Sequence, residues 1–123
     1  MKLYFAYGSN LNHEQMQLRC KDAEYIKNIF LESYKLSFCA VSRDYGVANV
    51  VKKSGSKVPG GLWKISEEDE KVLDDYEGYP NLYSKEYFNT NGEKALFYII
   101  KNDFKYKPPL RQYLNTINQG YID

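Results

Sequence analysis

The apolar positions fall in short runs separated by turn residues, a pattern that predicts a strand-rich chain carrying a few helices. Lys2 to Tyr7 is apolar and aromatic and closes at Gly8-Ser9-Asn10, which predicts a strand ending in a tight loop. A helix follows. Asn12 with Gln15 three residues on has the spacing of a capping box, and Met16 and Leu18 to Arg19 carry about two turns. Glu24 to Ala40 has no helix stop signal and is rich in β-branched and aromatic residues, so it predicts two strand segments with a bend near Glu32-Ser33.

Val47 to Lys52 reads as another strand, Ser54-Gly55-Ser56 as a turn, and Val58 to Ile65 as its hairpin partner, bent by Pro59 and Gly60-Gly61. Ser66 caps a helix whose first turn is Glu67, Glu68, Asp69 and Glu70, acidic where the helix dipole favours it. That helix ends at Glu77, with Gly78 as its cap. Tyr83 to Asn89 and Ala95 to Lys101 flank Asn91-Gly92 and predict a second hairpin. Pro108-Pro109 opens a last helix with a Leu110, Leu114 and Ile117 face, closed by Gly120. The expected architecture is α+β, a single domain over residues 1–123 with roughly six strands and three helices.

At 123 residues the chain fits one core, with no need of a disulfide or metal staple. Seventeen Lys and Arg against sixteen Asp and Glu leave a formal charge of +1, which supplies no field to gather nucleic acid or anionic lipid. Cys20 and Cys39 are too few and too far apart for a disulfide framework or a zinc site, which suits a reducing cytoplasm. The first apolar run is shorter than a signal-peptide core, and no later run approaches the ~20 apolar residues of a membrane span. A soluble, cytoplasmic protein is therefore expected. Thirteen tyrosines against six phenylalanines and one tryptophan suit wet strand faces or a polar-rimmed pocket alike.

Three groups of residues invite chemistry. Tyr7-Gly8-Ser9-Asn10-Leu11 lies between a strand and a helix start, where backbone N–H groups form an anion or oxyanion cradle, although ordinary turns use the same residues. Glu77 stands at a helix C-terminus, where the dipole is unfavourable to a carboxylate and raises its pKa. Asp74, three residues earlier, adds like charge, and Tyr76, Tyr79 and Tyr83 add a desolvating wall. The bland account makes Glu67 to Glu77 an acidic, solvated helix face. Asp74 with Glu77 is a poor glycosidase pair, because both stand on one helix. His13 and Cys20 lie seven residues apart on a short helix, about 10 Å by rise, too far for a thiol and its base. No phosphate loop, dinucleotide glycine pattern, zinc spacing or calcium loop is present, so no cofactor and no metal is expected.

Together these motifs resemble the γ-glutamylcyclotransferase-like family over most of the chain. The matching pieces are Tyr7-Gly8-Ser9-Asn10-Leu11, Arg19 followed by Ala23, and Val58, Gly60 and Trp63 in a Val-x-Gly-x-x-Trp pattern. Leu73-Asp74-x-x-Glu77-Gly78 with Tyr83 downstream resembles the segment carrying the family's catalytic glutamate, and Tyr113-Leu114-x-x-Ile117-x-x-Gly120 resembles its closing helix. Lys21 replaces a proline found in many members, and the chain stops three residues past Gly120 where larger members continue, which bears on the leaving-group side of the cleft. The Gly8-Ser9-Asn10 form is more similar to the small γ-glutamyl and γ-glutamylamine branches than to the glutathione-specific one.

The resemblance implies a small mixed β-barrel in which the Gly8 loop meets the Glu77 helix end. It also implies a reaction in which the α-amine of a γ-glutamyl amide attacks its own γ-carbonyl, giving 5-oxoproline and a free amine. Glu77 is then the general base and acid. Tyr7, Gly8, Ser9, Asn10, Leu11, Arg19, Tyr83 and Tyr113 are the implied substrate contacts. An α-ammonium near pKa ~8 and an ordinary Glu near ~4.3 are mismatched by roughly 3.5 units, about 5 kcal/mol, so Glu77 must be raised. The expected partner is a small γ-glutamyl amide or γ-glutamyl amino acid, with no nucleic acid and no membrane. The competing expectations are a non-catalytic binding module with the same cavity and a tyrosine-faced nucleic-acid barrel, which charge disfavours.

Overall fold

The computed structural model describes residues 1–7, 13–40 and 46–100. Seven elements follow in order: β1 (Lys2–Ala6), α1 (His13–Arg19), β2 (Glu24–Ala40), β3 (Gly46–Ile65), α2 (Glu67–Glu77), β4 (Ser84–Thr90) and β5 (Glu93–Ile99). The strands form one mixed sheet in the order β2-β3-β1-β5-β4, with β1 central. β1 runs antiparallel to β3, pairing Lys2 with Ile65 through Ala6 with Gly61, and parallel to β5, pairing Tyr4 with Leu96.

Two expectations change. The segments 47–52 and 58–65 are not the arms of a hairpin. They are parts of one long strand, β3, and both pair antiparallel with β2. Between Glu32↔Lys57 and Tyr34↔Lys52 the register slips, so that residues 53–56 stand opposite Ser33 alone, which takes φ +64. The turn residues at Ser54-Gly55-Ser56 thus make a bulge that bends both strands together, at the place where a bend in β2 is expected. The second change concerns the barrel. Among the described residues there are five strands and two helices, and no ladder joins the outer strands β2 and β4. A cleft of about 420 Å³ lined by Leu31, Tyr34, Phe88 and Asn89, among others, stands between them. The third expected helix, the Asn12 cap and the segment 101–123 lie outside the described residues.

The alternation of each central strand sorts the core into two faces. Tyr4 and Ala6 of β1 join Met16, Cys20, Trp63, Ile65, Leu73, Leu96 and Tyr98 on the side covered by the helices. Phe5 joins Leu31, Val50, Val58 and Phe97 on the other side, beneath the curled outer half of the β2–β3 ribbon. That curl brings buried Asn49 to Ile100, where its amide donates to the carbonyl at 3.1 Å and accepts from the N–H at 2.8 Å. Gly60 is fixed by space: a Cβ there would lie 2.5 Å from the Ala6 carbonyl and the Phe5 ring, so only glycine lets β3 pass β1 so closely. The second hairpin is as expected, with Asn91 and Gly92 at φ +51 and +83, the signs of a type I′ turn.

Candidate active site

α2 is set by its ends. The Ser66 hydroxyl accepts from the Asp69 N–H and the Asp69 carboxylate accepts from the Ser66 N–H, a complete capping box. At the other end Gly78 takes φ +69, its N–H donates to the Asp75 carbonyl, and the Tyr79 N–H donates to the Asp74 carbonyl at 2.9 Å. This pair of bonds is a Schellman motif and makes Glu77 the last residue before the left-handed turn.

The helix is oriented against its composition. Val72 and Tyr76 are exposed, whereas Glu70, Leu73, Asp74 and Glu77, at the i, i+3, i+4, i+7 spacing, form the inward stripe. The solvated-face account therefore fails for Glu70, Asp74 and Glu77. The sheet supplies the donors that make this possible. Lys2 on β1 and Lys85 on β4 each bind Glu70 at 2.7 Å. Lys85 also binds Asp74 at 2.8 Å, and the Tyr98 hydroxyl on β5 donates to Asp74 at 2.6 Å. Lys85 and Tyr98 are direct cross-strand partners, which is why both converge on one carboxylate.

Burial pushes the Glu77 carboxyl up to about 7, with the Arg19 guanidinium pulling the other way. Glu77 as a residue is half-buried at the helix end. The elevation comes from burial, and Asp74, the expected like charge, is instead held by Lys85 and Tyr98. The tyrosine wall is also smaller than expected: Tyr76 and Tyr79 are exposed and only Tyr83 is buried. Arg19 ends α1 and stacks over the Tyr76 ring at 3.7 Å while donating to Gln15 at 3.0 Å. The ends of α1 and α2 therefore meet, with Arg19 and Glu77 at the junction.

Tyr7, the residue after β1, donates its hydroxyl to the Tyr98 carbonyl, and Tyr83 donates to the Ala48 carbonyl. Tyr7, an implied substrate contact, and Tyr83, one of the two implied pocket hydroxyls, thus both anchor backbone. Gly8, Ser9, Asn10, Leu11 and Tyr113 lie outside the described residues. Cys20 is no nucleophile: it is wholly buried, and burial, then the neighbouring Asp69 charge, push its thiol up to about 12. His13 is no bare surface residue, since its ring packs against Tyr25 and Trp63 at 4.4 and 5.2 Å. Among the described residues no group of three or more His, Cys, Asp and Glu is arranged to hold a metal. Sequence reasoning misses Tyr98 and Lys85. A tyrosine inside the unbroken buried run Ala95 to Tyr98 is the available signal, because a buried phenol needs a partner.

The family described as "Gamma-glutamyl cyclotransferase, AIG2-like" matches residues 4–118. Human gamma-glutamylcyclotransferase is 29% identical over 129 aligned positions, which cover 96% of this chain and 69% of that protein. The mouse protein of the same name matches at the same identity and coverage. A solved gamma-glutamyl cyclotransferase superposes with a TM-score of 0.83 at 27% identity, covering 98% of this chain and 78% of that one. An AIG2-like protein from Mus musculus shares the fold at a TM-score of 0.64 and 16% identity, covering 89% of this chain and 87% of that one.

Proposed function

Because the chain belongs to the gamma-glutamyl cyclotransferase, AIG2-like family, we propose that it releases 5-oxoproline and a free amine from a γ-glutamyl amide, with Glu77 moving the proton. The observation that carries this reading is the placement of Glu77 beside Arg19 where the ends of α1 and α2 meet, a setting whose burial pushes the carboxyl up to about 7. The α-ammonium of the substrate has an ordinary pKa near ~8, so a base near 7 leaves a mismatch of about one unit where an ordinary glutamate leaves about 3.5.

Glu77 accepts the ammonium proton, and the freed amine attacks the γ-carbonyl carbon to close a five-membered ring. The attacking nitrogen then carries two protons and the lactam keeps one: as the tetrahedral intermediate collapses and the γ-amide C–N bond breaks, Glu77 returns its first proton to the departing nitrogen and relays the second to the freed amine, which leaves as an ammonium. Water, metal and cofactor take no part in the balance. The pocket's chief task is to hold the folded substrate, since well-aligned intramolecular attack is worth several kcal/mol. Backbone N–H groups of Gly8 to Asn10, which follow directly on Tyr7, are the proposed oxyanion donors. Arg19 is the proposed contact for a substrate carboxylate, and Tyr83 and Tyr113 the proposed polar rim.

The test is 5-oxoproline release from a panel of γ-glutamyl amides differing in the amine: amino acids, the lysine ε-amine and polyamines. Release from at least one supports the reading and names the leaving group. Saturable binding across the panel with no 5-oxoproline replaces it with a non-catalytic binding module.

A further inference from the structure

What fixes Glu77 in place is a question that its proposed role as proton carrier leaves unanswered. Asp74 occupies a special position for it. The backbone carbonyl of Asp74 accepts the Tyr79 N–H that closes the helix cap, and its side chain accepts the Tyr98 hydroxyl and the Lys85 ammonium. The residue that closes the turn behind Glu77 is thus itself tied to the sheet. Of the two ties, Lys85 is shared with Glu70 and stands on a flexible stem. Tyr98 is 2% exposed, its ring packs edge-on against Tyr4 at 5.9 Å, and two torsions fix where its hydroxyl points. The carbonyl of the same Tyr98 accepts the Tyr7 hydroxyl at the end of β1. One residue of β5 therefore holds both the helix end bearing Glu77 and the strand end that precedes the Gly8 segment.

We infer that Tyr98 is a positioning residue for Glu77, its hydroxyl bond to Asp74 fixing the last turn of α2 against the sheet and keeping the Glu77 carboxyl buried. The inference rests on the reading of Glu77 given above for its catalytic meaning, but the bond acts on the carboxyl whether or not substrate turns over. Arg19 on α1 and Tyr98 on β5 are titratable groups that face Glu77, with Asp74 one turn back on α2. Without the bond the last turn loosens, water reaches the carboxyl, and its titration falls toward that of an ordinary glutamate.

The experiment is an NMR titration of the Glu77 side-chain carboxyl in the whole chain and in three variants, read beside thermal midpoints and 5-oxoproline release. Tyr98→Phe keeps the ring and the backbone carbonyl and removes only the hydroxyl. Asp74→Ala removes the acceptor at a partly exposed helix position that tolerates alanine, so it serves if Tyr98→Phe folds poorly. Asp74→Asn removes the charge and keeps an acceptor oxygen. The expected result is a Glu77 midpoint lowered by at least one pH unit in Tyr98→Phe and Asp74→Ala and unchanged within a few tenths in Asp74→Asn. On an active substrate kcat falls about tenfold in the first two with KM within twofold. A Glu77 midpoint unmoved by Tyr98→Phe and Asp74→Ala overturns the inference, as does an Asp74→Asn variant that shifts as far as Asp74→Ala. A wild-type chain that releases no 5-oxoproline overturns the proposed function instead, and the titration still decides the role of Tyr98.

Discussion

Glu70 and Glu77 stand two turns apart on the same inward stripe of α2, and the protein treats them oppositely. Burial disfavours the charge of Glu70, but the hydrogen bonds from Lys2 and Lys85 outweigh it and hold the carboxyl below its usual range. Burial acts on Glu77 as well, and there the opposing Arg19 does not outweigh it, so the carboxyl rises to about 7. The helix dipole adds to the contrast, since Glu70 lies in the first turn and Glu77 at the last residue. Desolvation alone does not decide the ionisation of a half-buried acid. The short-range cations do, and the sheet commits Lys2 and Lys85 to the end of α2 that needs strength.

The largest effect expected from this contrast is on turnover. Glu77→Gln keeps the shape of the side chain but cannot take the ammonium proton, and general acid–base groups contribute about 10² to 10⁴ in rate. Turnover should fall at least a hundredfold, roughly 2.7 kcal/mol, with the thermal midpoint unchanged or raised. Glu70→Gln should do the reverse, lowering the midpoint while leaving turnover within about threefold. Steady-state kinetics and melting of the two variants side by side check this, and a well-folded Glu77→Gln enzyme with near-normal turnover would break the contrast at its functional end.

The same pair predicts how stability depends on pH. Glu77 is protonated more readily folded than unfolded, so its contribution is fully present below about 4.5 and is lost as pH rises through about 7. The full shift corresponds to about 3 kcal/mol, and to about 2 kcal/mol once solvent access to a half-buried residue is allowed for. The unfolding free energy of Glu77→Gln relative to wild type should therefore grow between pH 5 and pH 8. Glu70 has the opposite sign: its contribution is present above the ordinary carboxylate value and is lost as pH falls through its depressed folded value. Denaturant melts at pH 3, 5 and 8 separate the two. A stability difference between wild type and Glu77→Gln that is flat across pH 5 to 8 would refute the burial of the carboxyl.

Lys85 offers a smaller and more even perturbation, because it serves Glu70 and Asp74 together. Its side chain is 13% exposed, so Lys85→Met leaves two carboxylates short of a donor in a setting between surface and core. A loss of about 1.5 kcal/mol is expected, more than an exposed pair and less than a fully buried one. Melting in 0.05 and 0.5 M salt checks it, since a pair this sheltered should keep most of its contribution at the higher salt.

How far the chain's sequence discloses all this varies by element. The capped helix ending at Gly78, the Asn91-Gly92 hairpin and the strand from Lys2 are legible because each is written in local signals: a cap, a turn pair, an apolar run. The β2–β3 ribbon is not, since Ser54-Gly55-Ser56 has the composition of a turn and only the register with β2 makes it a bulge. That the sheet stays open between β2 and β4 among the described residues depends in the same way on contacts distant in sequence. At the candidate site, Glu77 and Arg19 are singled out by motif and position, and the structure brings the two near one another. Tyr98 and Lys85 are hidden because their role lies in a cross-strand pairing and in a helix packed face-down, neither of which leaves a periodic mark on the chain.

The smallest effects separate the two ends of α2 most cleanly. Ser66→Ala removes the hydroxyl that accepts the Asp69 N–H and should cost about 1 kcal/mol, as the loss of an N-cap usually does. Gly78→Ala puts a side chain at φ +69, with its Cβ 3.4 Å from that of Leu82, and should cost about the same in backbone strain. The two changes thus match in stability and differ in what they disturb. The first loosens the turn holding Glu70, whose lysine partners come from the sheet and remain in place. The second loosens the turn in which Glu77 is the last residue, so the carboxyl loses its fixed burial. Measured well below both melting temperatures, Gly78→Ala should lower kcat about five- to tenfold and move the acid limb of the pH–rate profile down, whereas Ser66→Ala should leave both within twofold. Equal kcat values for the two variants would mean that the geometry of the helix end is not what prepares Glu77, and that its elevated pKa comes from the surrounding walls alone.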